Sequence, residues 1–404
     1  MVDTALRCPT AADPPAAERR AEPGRRSVGA AFALLAAPAV GVLAPKGTVV
    51  VLAAAALLTV TDAGVRGALA GSLASGWRRP SSGVLLTVAG FLWLAVSAEN
   101  DPDDLRPAFA VPGDRLARAA LLGLALGALL LVEEGATGNF LRGLVDDPPP
   151  DGWQLNQVNL GVTNLVVFAC VGAALIAGRR RRFAAAGVLV AAAATTFAFD
   201  SLAASLAGCT ALAVYAAATR WPEVVRVVLR WGAIAAVVAM PIMARGLGQL
   251  PRSATDALPA SALHRVLIWN FTVDRIAERP VLGWGLDSAR HLGEGQTVDV
   301  RGKTVDALPL HPHNGVLQVW VETGLPGIAL LVGGILWLTR RRRGVEVDPA
   351  MPALAAAAAS IGLTAYGLWQ MHWLASLIMA AYGVAAAGRH AHRPGTRAGV
   401  GSCG

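Results

Sequence analysis

The stretch HPHNGVLQVWVETGLPGIALL, residues 311–331, closes a long polar segment and opens an apolar run. Two histidines and an asparagine stand at the lip of that run, and a glutamate and a Gly-Leu-Pro-Gly break lie inside it. Pro312 disfavours a helix through His311, so a helix is expected to begin near His313 or Asn314 and to continue inward over 316–338. A histidine at the positive end of a helix dipole is held neutral, as a general base must be. Glu322 follows about two and a half turns later, among apolar residues, where a carboxylate is costly unless it is paired or lines a polar cavity. Both residues are candidates for a functional site, against the plainer reading of His313 as a surface histidine at a helix start.

The rest of the chain says what that apolar run is. Of 404 residues, 54% are hydrophobic and only 15% charged, and the mean hydropathy is +0.51, too apolar for one or two soluble domains. Apolar segments recur at roughly 28–44, 47–63, 83–98, 116–132, 158–178, 183–199, 201–219, 224–243, 314–338, 351–367 and 368–388. They are rich in Ala, Leu and Val without period-two alternation, so the expected class is all-α: a polytopic integral membrane protein with about 11–12 transmembrane helices. A twelfth crossing, in 64–82 or 99–115, would place the N-terminal arginines on the same side as the other basic runs. The net charge of +8 does not point to nucleic acid, because the arginines cluster at the ends of apolar segments, at 179–182, 340–343 and 389–393. These runs mark the cytoplasmic side. The expected layout is a cytoplasmic N-terminus over 1–27, transmembrane helices over 28–243, a large external loop over 244–313, further transmembrane helices over 314–388 and a cytoplasmic tail over 389–404. The four cysteines form neither a metal pattern nor a disulfide framework.

A loop of about seventy residues in a compact protein is usually functional. Within it Leu263, Leu267, Phe271 and Ile276 keep near-helical spacing, which predicts an amphipathic helix along the membrane surface that ends at Pro280. Arg265 and Arg275 lie on this helix, with Arg279 and Arg290 just beyond. They suit an anionic ligand, or else lipid headgroups and helix capping. Gly283 and Gly285, around Trp284, let the backbone approach a substrate or turn tightly. The candidate site is therefore His313 as general base, with Arg265, Arg275, Arg279, Arg290, Asn314, Glu322, Gly283 and Gly285 as candidates for holding the substrate. Asp101 and Asp103 belong to a solvated acidic run, so neither a metal nor another cofactor is expected. Gln370 and His372, among aromatics near the C-terminus, read as interfacial anchors, with a substrate role as the alternative.

Arg265 and Trp269, then ERPVLGWGLDS at 278–288, then HPHNGVLQVWVETGLPG at 311–327 together resemble the signature region of the O-antigen ligase / O-antigen polymerase membrane family. The resemblance implies a multi-pass glycosyltransferase of the bacterial inner (cytoplasmic) membrane, with a large periplasmic loop carrying the active site. It implies a donor glycan on undecaprenyl diphosphate and an acceptor that is lipid A core for a ligase or a growing glycan for a polymerase, both met at membrane lipid. The family's catalytic histidine falls on His313 and its loop arginine on Arg265. Direct attack of the acceptor on the anomeric carbon would invert configuration. Two places depart from the family: Asp200-Ser201-Leu202 stands where a Ser-Arg pair is common, and Asn156-Gln157 where an Asn-Arg is common. A secondary transporter is disfavoured by the lack of inverted repeats, and a non-catalytic envelope scaffold is the remaining alternative.

Overall fold

The computed structural model describes residues 25–44, 48–60, 113–137, 140–143, 154–177, 181–199, 201–341 and 347–391. The expected crossing at 83–98, the extra crossing in 64–82 or 99–115, the N-terminal segment before residue 25, Asp101, Asp103, Asp200 and the tail beyond residue 391 lie outside these residues. The other ten apolar segments are helices: α1 (Arg25–Leu43), α2 (Thr48–Val60), α3 (Gly113–Thr137), α5 (Gln154–Ala177), α6 (Arg182–Ala198), α7 (Leu202–Arg220), α8 (Pro222–Gly248), α12 (Gly315–Leu338), α13 (Ala350–Thr364) and α14 (Met371–Ala391). Short helices α4 (Phe140–Gly143), α9 (Arg252–Asp256) and α11 (Ala289–Leu292) connect them, and the predicted amphipathic helix is α10 (Ala260–Glu278). The protein is all-α and polytopic. Four described helices are long and apolar enough to cross a membrane, the segment Asn159–Ala177 of α5 together with α7, α8 and α12.

Two differences from the sequence reading shape the region around 311–331. Helix α8 runs on to Gly248 with Pro241 inside it, past the expected end at 243, and stops ahead of Pro251, before which the chain is biased away from helix. A two-stranded antiparallel hairpin, β1 (Thr297–Val300) and β2 (Lys303–Asp306), stands in the loop. Its turn residues Arg301 and Gly302 both have positive φ, 54° and 79°, the primed geometry that matches strand twist.

The main apolar core gathers α1, α2, α3, α5, α6, α7, α13 and α14. Helix α5 is its axis, with 83% of its apolar window buried, whereas α8 and α12 bury only 17% and 28%; these two keep a wide lipid-facing surface. They run antiparallel. Trp320 Nε1 donates to the Val237 carbonyl at 2.9 Å, and at the far end Arg226 Nη1 donates to the Thr339 carbonyl at 3.1 Å. A smaller core of Met240, Ala244, Val273, Ile276, Ala289, Leu317 and Val321 seats α10 on α8 and α12.

Inside α12 the helix breaks at Gly324, with φ 57° and ψ −148°. Pro326 has no N–H for the Glu322 carbonyl, and the break swings the Leu325 N–H away from the Val321 carbonyl to that of Val281, at 3.0 Å. The turn at 281–287 meets the orphaned groups: Trp284 N–H donates to the Val321 carbonyl at 2.9 Å and Gly285 N–H to the Glu322 carbonyl at 2.8 Å. A Cβ on Gly283 would lie 2.5 Å from the Glu322 carbonyl carbon, and one on Gly324 2.4 Å from the Val281 oxygen. Both glycines also have positive φ. Gly283→Ala is therefore expected to lower the Tm of the purified protein well beyond Gly295→Ala, whose φ of 71° is also positive but whose Cβ would meet open space. The latter should cost only about 1–2 kcal/mol for the left-handed backbone; equal losses in thermal unfolding would show that the turn is not wedged against the break.

Candidate functional site

The opening HPHN segment does not continue into α12 but turns sharply before it. Asn314 is fully buried at the N-cap, its Oδ1 accepting the Val316 and Leu317 N–H groups at 3.0 Å each, which satisfies two of the helix's orphan donors. Its Nδ2 donates to the Leu363 carbonyl at 3.0 Å, tying the start of α12 to the end of α13. His313, one residue earlier, sits in the left-handed region with φ 53°, uncommon for a side chain of this size.

Its neighbours hold that conformation. The His313 backbone N–H donates to His311 Nδ1 at 3.0 Å, and the two rings meet edge to face with centroids 4.4 Å apart. His313 Nδ1 lies 2.9 Å from the Ala365 carbonyl. A carbonyl only accepts, so Nδ1 carries the proton and Nε2 presents a lone pair with no protein partner among the described residues. A neutral imidazole with an unoccupied Nε2 is what a general base requires. The same logic fixes His311: its Nδ1 accepts, so its Nε2 donates. The Gln370 amide nitrogen stands 2.9 Å from that nitrogen while its oxygen is buried without a partner; two donors do not bond, so the amide is read flipped, with its oxygen accepting from His311.

Electrostatics agree with the tautomers. Burial holds His313 below the ordinary imidazole range, outweighing the Ala365 hydrogen bond that would raise it, and the nearby charges of Arg265 and His264 add to the depression. The main cause is desolvation, where the sequence reading looked to the helix dipole. His311 is pushed down to about 3, first by burial and then by His313 and His372.

The arginines fall into different surroundings. Arg265 is the one whose charge reaches His313. Its Nη1 donates only to the Ser261 carbonyl at 3.2 Å, its Nε is buried without a partner, and burial lowers its pKa. No carboxylate pairs with it among the described residues. Arg275 lies ten residues, about 15 Å, further along α10, and pairs with Glu278 at 2.7 Å. Arg290 pairs with Asp287 at 2.8 Å. Arg279 is stacked over the Trp284 ring, 4.0 Å from its centroid. Trp269, on α10, donates from Nε1 to the Pro312 carbonyl at 2.9 Å and so sets the distance between the Arg265 helix and the histidine turn.

Glu322 is 1% exposed. Its carboxylate accepts from Gln318 Nε2 at 2.9 Å, from the Asp287 backbone N–H at 3.0 Å and from Trp369 Nε1. Gln318 Oε1 in turn accepts the Leu368 N–H at 2.7 Å. The cost of burying this group is met by donors from three segments, and its observed contacts fix the walls beside His313. Gly283 likewise lies against the α12 backbone, while a Cβ on Gly285 would meet nothing within 4 Å. The 365–370 connection also reaches the site: the Ala365 carbonyl meets His313, Trp369 meets Glu322, and Gln370, expected as an interfacial anchor, stands beside His311. The signal available was Gln318 and Glu322, polar residues four apart on one face of an apolar helix, which require polar partners from elsewhere. Of the two departures noted above, Asn156 and Gln157 fall in the first turn of α5.

Residues 158–332 match the sequence model of the family described as O-Antigen ligase. Proteins named "Putative polysaccharide ligase" in Rickettsia are similar: that of Rickettsia prowazekii is 34% identical over 125 residues, 30% of this chain and 31% of the relative. That of Rickettsia conorii is 33% identical over 126 residues, 30% of each chain, and that of Rickettsia bellii is 27% identical over 273 residues, 65% of each. The aligned region thus spans about a third of the length of the first two. No solved structure matches.

The two histidines carry a pH signature. In the unfolded chain each protonates near 6.5, whereas in the fold His311 resists protonation down to about 3. Below 6.5 the unfolded state therefore binds more protons, and stability falls as pH drops through that window. Between about pH 6.5 and about pH 5, where most carboxylates are still ionised, Tm should fall, and His311→Gln should flatten the slope. An unchanged slope would mean that His311 is not buried neutral.

Proposed function

We propose that this chain, which belongs to an O-antigen ligase-type family, transfers a glycan from a lipid diphosphate to an acceptor hydroxyl, with His313 as general base. The observation that carries this reading is an imidazole whose proton is held on Nδ1 by the Ala365 carbonyl, on a turn that Trp269 bonds to the helix carrying the carboxylate-free guanidinium of Arg265. The donor is a glycan on undecaprenyl diphosphate, and lipid A core is the acceptor. The setting is the inner membrane of a bacterium, with the large loop, 244–313 in the sequence reading, on its periplasmic side. A lipid diphosphate already contains a good leaving group, so no covalent intermediate is needed. His313 Nε2 takes the proton of the acceptor hydroxyl as its oxygen bonds to the anomeric carbon. The carbon–oxygen bond to the diphosphate breaks, the electron pair leaves with the lipid diphosphate, and the configuration inverts.

Arg265 suits the leaving group because a guanidinium stays charged when desolvated and binds phosphate oxygens in a bidentate fashion. In this reading Arg279 and Arg290 flank the donor's approach, Arg275 extends the basic face of α10, and Asn314, Glu322, Gly283 and Gly285 shape the walls. His313→Ala, assayed as purified protein with an undecaprenyl-diphosphate-linked glycan and lipid A core, is expected to lose about 10²–10⁴-fold in transfer rate while remaining monodisperse. Arg265→Ala should raise the KM for donor more than that for acceptor. Wild-type transfer by His313→Ala would remove the general base, and elongation of free glycan in place of transfer to lipid A core would reassign the acceptor to a growing polymer.

A further inference from the structure

The turn at 281–286 is pinned by backbone bonds to a membrane-spanning helix, yet it turns Val281, Leu282 and Leu286 outward at 57%, 73% and 70% exposure. Apolar side chains held out on a rigid turn mark a contact surface. The level of the turn along α12 says which. It joins the helix at residues 321–325. At the other end, the Thr339 carbonyl accepts from Arg226 and Arg230, and Arg340 lies over the Trp337 ring at 5.0 Å. From Glu322 to Thr339 is seventeen residues, about 26 Å of helix, against about 30 Å for a hydrocarbon core. If the arginine collar sits at one boundary, the turn sits at the other.

Between them α12 exposes apolar side chains on more than one side, Leu325, Leu330 and Leu338 at 50%, 79% and 71%, and Leu282 and Leu286 add to that apolar surface at its upper end. Part of the demand that hydrocarbon makes on irregular backbone is met within the protein: the N–H groups of Gly283, Trp284, Gly285 and Asp287 have acceptors. Arg279 completes the pattern. Arg275 and Arg290 have carboxylate partners, but Arg279 has none among the described residues and rests on Trp284, a residue type that favours the headgroup layer. We infer that 279–288 is a membrane wedge: Val281, Leu282 and Leu286 enter the hydrocarbon of the leaflet on the site's side, and Arg279 meets phospholipid phosphate. The start of α12 at Gly315 then stands seven residues, about 10 Å, beyond that boundary. The inference does not depend on the proposed reaction.

Full-length protein in phospholipid nanodiscs tests it, with nitroxide labels on Leu282→Cys, Leu286→Cys and, as a reference on the hairpin, Thr304→Cys, in a background whose native cysteines are alanine. Collisions with oxygen relative to a water-soluble nickel chelate should be several-fold higher at 282 and 286 than at 304. Equal nickel access at all three would overturn the wedge and leave the patch as a surface for a protein partner. A second measurement needs no cysteine background: a photoactivatable phospholipid should mark the segment 276–290 of the wild-type chain and spare 291–301, and Arg279→Glu should reduce the yield several-fold. Equal marking of both segments counts against insertion, and an undiminished yield in Arg279→Glu counts against the phosphate contact.

Discussion

An α-helix that breaks inside a membrane leaves carbonyls without donors, and where water is scarce each must find one from the protein. In α12 the break at Gly324 and the missing N–H of Pro326 strand the carbonyls of Val321 and Glu322, and the 281–287 turn supplies Trp284 and Gly285 as their donors. The exchange explains why the turn has glycine where it touches the helix, since a side chain at Gly283 or Gly324 would overlap backbone. It also explains why the long loop is not free to wander. One end of α10 continues into this turn, so fixing the turn to α12 fixes the helix that carries Arg265.

Glu322 extends the same constraint to a third segment. Its carboxylate collects a backbone N–H from the turn, an indole N–H from Trp369 and an amide N–H from Gln318, and Gln318 holds the Leu368 N–H. The 365–370 connection is thereby drawn over the start of α12, with the Ala365 carbonyl beside His313. A charged group that is strongly bonded on all sides has little left to offer a ligand; its effect is to specify one arrangement of helix, turn and connection. The proton on His313 Nδ1 is thereby placed by the fold itself, independently of any ligand.

The histidine turn shows how a strained backbone is kept. Left-handed conformation at His313 costs about 1–3 kcal/mol, and the surroundings over-determine it: a bond to His311, a bond to Ala365, the capped helix on one side and Trp269 holding Pro312 on the other. Gly367 makes room for this, since a Cβ there would lie 2.8 Å from His311 Cγ. Strain retained in this way is common where side chains must point against the local run of the chain.

Much of this was legible from residue order alone. Long apolar runs must be helices in lipid, so ten helices were placed within a few residues, and the near-helical apolar spacing of 262–278 placed α10. Pro312 and Asn314 announced where α12 begins, because a proline stops one conformation and an asparagine caps the next. The combination of His, Arg, Glu and paired glycines marked the segment for chemistry. The sequence could not assign partners. Whether Arg275 and Arg290 face a ligand or a neighbouring carboxylate, whether Glu322 lines a cavity or fastens a wall, and whether Gln370 anchors or supports His311 are decided by contacts between residues roughly 35 to 60 positions apart for the last two. Local propensity and periodicity report the conformation of each segment, whereas the proton on His313 is placed by a carbonyl 52 residues away, and only the folded chain brings that carbonyl within reach.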